Sequence, residues 1–193
     1  FRLPALARTL RAVVEDGLDS FYRGPLAQRI AAGLKEVGSP VNLDDLASYR
    51  ARVRTPLVLQ HSLGELYNMT PPTQGLVSLI ILGVLDRLDI RRHGPDSAEY
   101  VHLVVEATKQ AFSVRDRYIT DPDHMEIDPQ SCLERPFLDD LAGKIRLDAA
   151  LPWGEGKGPG DTIWMGVIDE AGRAVSFIQS IYHEFGSGIV LDQ

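Results

Sequence analysis

Apolar positions over residues 1–50 recur at helical spacing. Leu6, Leu10 and Val14 fall at i, i+4 and i+8, and Gly17 suits the left-handed residue that closes a helix. Leu26, Ile30 and Leu34 share one face of a second helix, with Pro25 near its start and Gly38 beyond its end. Asn42 can cap a third, Leu43 to Tyr49, where Asp45 in the first turn complements the helix dipole.

The period then changes. Pro56 forbids a continuing helix, and Leu57–Gln60 and Glu65–Met69 flank His61-Ser62-Leu63-Gly64, which predicts a hairpin turning at Gly64. After a Pro71-Pro72-Thr73-Gln74-Gly75 loop, Leu76, Leu79, Ile80, Val84, Leu85 and Leu88 make a helix apolar on most of its circumference. Such a helix needs cover, which is expected from segments or chains outside this one. Asp96 and Glu99 form an acidic variant of a capping box that opens a long amphipathic helix through Tyr118. Its expected buried stripe is Tyr100, Leu103, Val104, Ala107 and Ala111; Lys109, Arg115 and Arg117 fall on its wet side. Asp121-Pro122-Asp123 ends that helix, and a weaker one spans about Pro136 to Arg146. Residues 151–160 hold four glycines and two prolines, the composition of a linker.

Past the linker the period is two. Ile163, Met165 and Val167 alternate with Thr162, Trp164 and Gly166; Asp169-Glu170-Ala171-Gly172 is a turn; Val175, Phe177, Gln179 and Ile181 alternate with Ala174, Ser176, Ile178 and Ser180. If Ile168 pairs with Arg173, position 162 lies opposite position 179, give or take one. Thr162 and Ser180 then sit on adjacent strands about 5 Å apart.

Composition narrows the function classes. Hydrophobic residues at 44% and charged residues at 24% exclude a disordered or collagen-like chain. A net charge of -7 with interspersed signs offers nothing to a phosphate backbone, so no nucleic-acid partner is expected. The longest apolar run, Leu76 to Leu85, is broken by Ser78 and Gly83 and falls short of the roughly 20 residues of a membrane span. Cys132 is the only cysteine, which excludes an internal disulfide and a multi-cysteine zinc site and leaves the redox compartment open. The histidines at 61, 93, 102, 124 and 183 show no i, i+4 pair, so no metal centre is expected. The glycine-rich run Gly154–Gly158 lacks a preceding strand and a Ser or Thr after its lysine, and does not make a phosphate loop. The opening Phe1-Arg2-Leu3-Pro4, without an initiator methionine, suggests an internal piece of a longer protein.

A threonine just after a flexible linker, at the first position of a strand, is placed to become a chain terminus if the bond before it is cut. Its freed α-amine, with a pKa of about 8, would serve as base for its own hydroxyl.

The residues around Thr162 resemble the subunit junction of the γ-glutamyltranspeptidase family: Asp161-Thr162-Ile163-Trp164 running into Val167-Ile168-Asp169, then Gly172-Arg173-Ala174-Val175-Ser176, then Phe185-Gly186-Ser187-Gly188-Ile189-Val190. Upstream, Phe21-Tyr22-Arg23-Gly24, Leu43–Tyr49, Met69–Gly75 and Glu106–Phe112 match further blocks in the right order, so the resemblance covers nearly the whole chain. It implies an α+β fold, part of the αββα sandwich of N-terminal-nucleophile hydrolases. It also implies a precursor cut between Asp161 and Thr162, with residues 1–161 the C-terminal part of a large subunit and 162–193 the start of a small one. Thr162 is then the nucleophile and Ser180 stands where relatives carry a threonine that holds its amine or hydroxyl. No cofactor is implied. The implied partners are a small amide or γ-glutamyl substrate and the remaining parts of the two subunits.

Two departures bear on substrate. Tyr182 stands where γ-glutamyl-transferring members carry an asparagine, and a phenol does not reproduce an amide's paired donor and acceptor. Pro71–Gly75 differs from the usual Pro-Pro-Pro-Ser-Ser-Gly. Both resemble the amidohydrolase branch, with its oxamate amidohydrolases and acylases, although packing of Tyr182 on neighbouring strand residues explains that residue equally well. Hydrolysis of a small amide is therefore favoured, with a true γ-glutamyltransferase and a non-catalytic helical assembly domain as alternatives.

Overall fold

The computed structural model describes residues 2–153, 163–181 and 186–190. The chain divides into two compact units, Phe1–Ala51 with Lys157–Gln193, and Arg52–Gly156. Helices and antiparallel strand pairs are segregated along the chain, the α+β class expected from the pattern.

In the first unit, α1 (Pro4–Asp16) starts with proline in its first turn and is followed by Gly17 at φ 86°. A short helix α2 (Ser20–Arg23), absent from the sequence expectation, precedes α3 (Pro25–Glu36) and α4 (Leu43–Ser48). Asn42 does more than cap α4. Its Oδ1 accepts from the amides of Asp44 (2.8 Å) and Asp45 (3.2 Å), while Asp45 Oδ2 accepts from the Asn42 amide (2.9 Å), a complete capping box. Arg23 Nη1 donates to the carbonyls of Ala47 (3.0 Å) and Tyr49 (2.9 Å), and the Tyr22 and Tyr49 rings stack with centroids 5.0 Å apart. Two of the sequence blocks, Phe21–Gly24 and Leu43–Tyr49, are thus the two halves of one packed joint.

The same unit carries β3 (Ile163–Ile168) and β4 (Ala174–Gln179), paired antiparallel from Ile163↔Gln179 to Ile168↔Ala174. The expected pairing of Ile168 with Arg173 is displaced by one residue. The Asp169 amide donates to the Arg173 carbonyl (3.0 Å), so that pair closes the turn and Ala174 becomes the first strand partner. The Asp169 carboxylate fixes this geometry by accepting from the amides of Ala171 (3.0 Å) and Arg173 (2.9 Å) and from Arg173 Nε (2.6 Å).

The second unit builds the core. β1 (Leu57–His61) and β2 (Gly64–Asn68) pair with His61 opposite Gly64, so the turn is Ser62-Leu63 and not the four-residue segment expected from the pattern. α5 (Gly75–Arg87) packs against them, and α6 (Ala98–Tyr118) and α7 (Arg135–Gly143) pack against α5. The apolar helix expected to need outside cover finds it within this unit: Leu76, Leu79, Ile80 and Val84 of α5 are buried in a cluster with Leu57 and Leu59 of β1, Ala107 and Ala111 of α6, and Leu138 and Leu141 of α7. Only Leu82 among the long α5 side chains stays exposed. Gly83 lets α7 approach, since a Cβ there would lie 2.8 Å from Leu138 Cδ1.

Two details of α6 differ from expectation. Ser97, not Asp96 with Glu99, caps it, with Ser97 Oγ accepting from the Tyr100 amide at 3.1 Å. Its buried stripe is Leu103, Glu106, Ala107, Gln110, Ala111 and Val114, while Tyr100 and Val104 are half-buried. Gln130 seals the outer edge of β1: its amide accepts from the Val58 N–H (3.1 Å) and donates to the Val58 carbonyl (2.8 Å).

Candidate functional site

Of the residues singled out by sequence, Ser180 lies among those described; Asp161, Thr162 and Tyr182 lie outside them. Ser180 immediately follows Gln179, the last residue of β4, whose ladder partner is Ile163. The hairpin that carries it presents mostly apolar side chains on both faces. Trp164 lies over Gly166, where a Cβ would sit 2.9 Å from the indole ring, and its Nε1 donates across the strands to Ser176 Oγ at 2.9 Å. Ile163, Met165 and Val167 face Gln179, Phe177 and Val175 on the other side. The Asp169 carboxyl at the turn is held below its usual range by the hydrogen bond from the Arg173 amide and then by the Arg173 guanidinium.

The Met69–Gly75 block folds into a self-stapled loop. Thr73 Oγ1 donates to the Thr70 carbonyl (3.0 Å) and accepts from the Gly75 amide (3.2 Å), and Asn68 Oδ1 accepts from the Met69 amide (2.8 Å). Glycine is required at 75 because a Cβ would collide with the Met69 carbonyl oxygen and lie 2.8 Å from Asn68 Oδ1. Beside this loop Arg54, Thr55, Thr70, Pro71, Met125 and Ile127 line an open cavity of about 290 Å³. The base of α5 is therefore fixed by backbone and hydroxyl contacts made before any ligand arrives.

The Glu106–Phe112 block holds the most unusual chemistry among the described residues, and sequence reasoning assigned it none. Glu106 sits on the buried stripe of α6 with its side chain 1% exposed, and Lys109 is not on the wet side as expected but 16% exposed. Lys109 Nζ donates to Glu106 Oε1 (2.6 Å) and to the Leu151 carbonyl (2.9 Å), and Glu106 Oε2 accepts from the Leu151 amide (3.0 Å). Burial pushes the Glu106 carboxyl upward, but the hydrogen bonds from Lys109 and the Leu151 amide, with the positive field of Lys109 and His102, more than offset it and hold the group ionised below its usual range. The readable signal was an acid three residues after Leu103 on an apolar stripe, with a lysine three residues further on.

Other groups that resemble catalytic sets do not act as one. At the tip of the first hairpin, His61 Nε2 lies 3.5 Å from Asp86 Oδ1, but the Ser62 hydroxyl donates to Asp86 rather than to the imidazole, and the Ser62 amide binds Asp86 Oδ2 at 3.0 Å. A nucleophile would need the imidazole as its proton acceptor, so this set braces a turn. The Cys132 thiol is fully buried in the core, and burial raises its pKa to about 11, which removes the thiolate needed for nucleophilic chemistry.

The family model for Gamma-glutamyltranspeptidase matches residues 1–193. The chain belongs to the gamma-glutamyltranspeptidase family. The family's resemblance blocks thus extend over both compact units. An oxamate amidohydrolase proenzyme of Klebsiella pneumoniae is 60% identical over 191 residues, 99% of this chain and 36% of that protein. A glutathione hydrolase proenzyme of Escherichia coli is 31% identical over 96% of this chain and 33% of its own length. A cephalosporin acylase structure from Bacillus halodurans superposes with a TM-score of 0.81 at 32% identity, covering 95% of this chain and 33% of that one. The chain spans about a third of the length of these relatives. Its fold is that of the N-terminal-nucleophile hydrolases of the gamma-glutamyltranspeptidase family, the class expected from the junction motif.

Proposed function

We propose that this chain carries the subunit junction of a self-cleaving amidohydrolase in which Thr162 is the nucleophile. In maturation, Thr162 Oγ1 attacks the Asp161 carbonyl carbon, the peptide C–N bond breaks, and the acyl group passes from nitrogen to oxygen. One water then hydrolyses the ester, leaving Asp161 with a carboxylate and Thr162 with a free α-amine. Residues 1–161 become the end of the large subunit and 162–193 the start of the small one. In turnover the α-amine, with a pKa of about 8, takes the hydroxyl proton as Oγ1 attacks a substrate amide and returns it to the departing nitrogen. Water releases the acid from the resulting ester.

Ser180 holds the amine or hydroxyl of Thr162, and Tyr182 contributes to substrate binding. The ladder register supports the first role: Gln179 pairs with Ile163, and Ser180 and Thr162 are the residues next to that pair in the sequence. The observation that carries the reading is the match of one family across residues 1–193, joined to 60% identity with an oxamate amidohydrolase proenzyme. A small amide of the oxamate or acyl-amide kind is the favoured substrate. The 31% identity to a glutathione hydrolase proenzyme keeps γ-glutamyl transfer as a second reading.

Mass spectrometry and amino-terminal sequencing of the full-length precursor test the first step, with a new terminus expected at Thr162 and no splitting in Thr162→Ala. Ammonia release from oxamate is expected to exceed glutamate release from glutathione. The reverse order selects the second reading, and an intact, active wild-type precursor rejects both.

A further inference from the structure

Arg54, Thr55 and Thr70 form the polar side of the open cavity of about 290 Å³ beside the Met69–Gly75 loop. All three have bonding capacity to spare. Among the described residues the Arg54 guanidinium makes no hydrogen bond, ion pair or ring contact, and the hydroxyls of Thr55 and Thr70 have no partner. Nor does any described acid line the cavity, although Asp121, Asp123, Glu126 and Asp128 stand in the segment that forms its far wall. Two of these acids are taken up by their own turns: Asp121 Oδ1 accepts from the Asp123 amide (3.0 Å) and Asp128 Oδ1 from the Gln130 amide (3.0 Å). A chain of net charge -7 thus presents a cation here with no acid set against it.

The remaining lining is apolar. Pro71 is buried, Met125 and Ile127 are half-buried, and Ile127 packs against the core cluster. Both walls are held without a ligand. On one side the Thr70 carbonyl accepts from the Thr73 amide (3.3 Å) and from Thr73 Oγ1 (3.0 Å); on the other the Asp121 carbonyl accepts from the His124 amide (2.8 Å). Every lining residue belongs to the Arg52–Gly156 unit, so the cavity is built within one compact body. Walls fixed in advance spare a ligand the cost of ordering them.

We propose that this cavity binds a small carboxylate with a compact apolar body. The guanidinium is a planar, weakly hydrated fork that suits both carboxylate oxygens, and the two hydroxyls donate to the lone pairs left over. Pro71, Met125 and Ile127 cover the body. Neither half suffices alone. An exposed arginine gains little from a bare anion in water, and a wholly apolar ligand would cover the polar side without bonding to it. The volume lies at the lower end of small-molecule sites, which start at about 300 Å³, and suits a carboxylate on a single ring.

The test uses the full-length protein with phenylacetate as probe, followed by isothermal titration and saturation-transfer NMR. Acetate keeps only the head of the probe and 2-phenylethanol only the body; each should bind about tenfold more weakly than phenylacetate, or worse. Arg54→Met keeps the side-chain stem and removes the cation. It should keep the wild-type melting temperature within a few degrees and weaken phenylacetate about tenfold or more. Thr70→Val, close in shape, should weaken it about fivefold. Each variant is read against wild type, so binding elsewhere on the protein cancels. The proposal is overturned if wild type shows no saturable phenylacetate binding, or if acetate or 2-phenylethanol binds as tightly as phenylacetate. A folded Arg54→Met protein that binds like wild type overturns it too. Should Arg54→Met not fold, Thr70→Val and the two half-probes decide by the same measures.

Discussion

Helix α5 and the β3–β4 hairpin are both rich in large apolar side chains, yet one is buried and the other is bare. Leu76, Ile80 and Val84 of α5 have no accessible surface, enclosed by β1, α6 and α7. Trp164, Val167, Ile168, Val175 and Ile178 of the hairpin are 61–75% exposed, and these side chains point to both faces. Apolarity in a sequence states a need for a partner but not where the partner is. For α5 the need is met by elements that flank it in the chain. The hairpin is apolar on both faces, the pattern of strands sandwiched between two layers, and among the described residues it is held by its ladder, the Asp169 turn and the Trp164–Ser176 hydrogen bond. Isolated two-stranded hairpins are marginal in water.

The sharpest way to break that contrast is Leu138→Ala, which empties the space over Gly83 in the buried region. It should cost about 2–5 kcal/mol in denaturant unfolding of the 193-residue chain, whereas Val175→Ala in the hairpin should stay within about 0.5 kcal/mol. Comparable losses at the two positions would mean the regions are not energetically distinct. Next in size, Gly75→Ala drives a methyl into the Met69 backbone and should cost about 1–3 kcal/mol, read in the same unfolding experiment.

A smaller effect is expected from Glu106→Gln, and it depends on pH. Because the folded-state pKa of Glu106 is depressed, its pairing contributes fully above the unfolded value of about 4.3 and is lost as pH falls through the lower folded value. The melting temperature of wild type should therefore exceed that of Glu106→Gln at pH 7, with the gap closing below about pH 4; a gap that widens in acid would contradict the ion pair. Asp169→Asn should loosen only the hairpin, visible as line broadening of the β3 and β4 amides with no change in the melting of the buried unit. Cys132 sets the lower bound: with a pKa of about 11 it should not react with a thiol reagent at pH 8 until the core unfolds.

What the sequence revealed and concealed follows from how each feature is encoded. Period and punctuation carried the helices and hairpins, since Leu76 to Leu88 and Ile163 to Ile181 repeat a spacing over several residues. Helix α2 stayed hidden because four residues complete barely one turn and leave no period. The cap of α6 was misassigned because Asp96, Ser97 and Glu99 are all competent, and only the backbone path selects Ser97. The junction motif was legible through resemblance, and the composition of residues 151–160 marked a linker. The hold of Glu106 and Lys109 on Leu151 was not legible. Its partners are 42 and 45 residues away and it grips main-chain atoms, so any residue but proline at 151 would look the same.

The Gln130 side chain gives β1 a counterfeit neighbour. By occupying the N–H and the carbonyl of Val58 it denies a foreign strand those two ladder bonds on the β1 border unless the carboxamide is first displaced. Protection of that stretch of β1 thus comes from one uncharged side chain, and leucine in its place would leave the Val58 N–H and carbonyl without it.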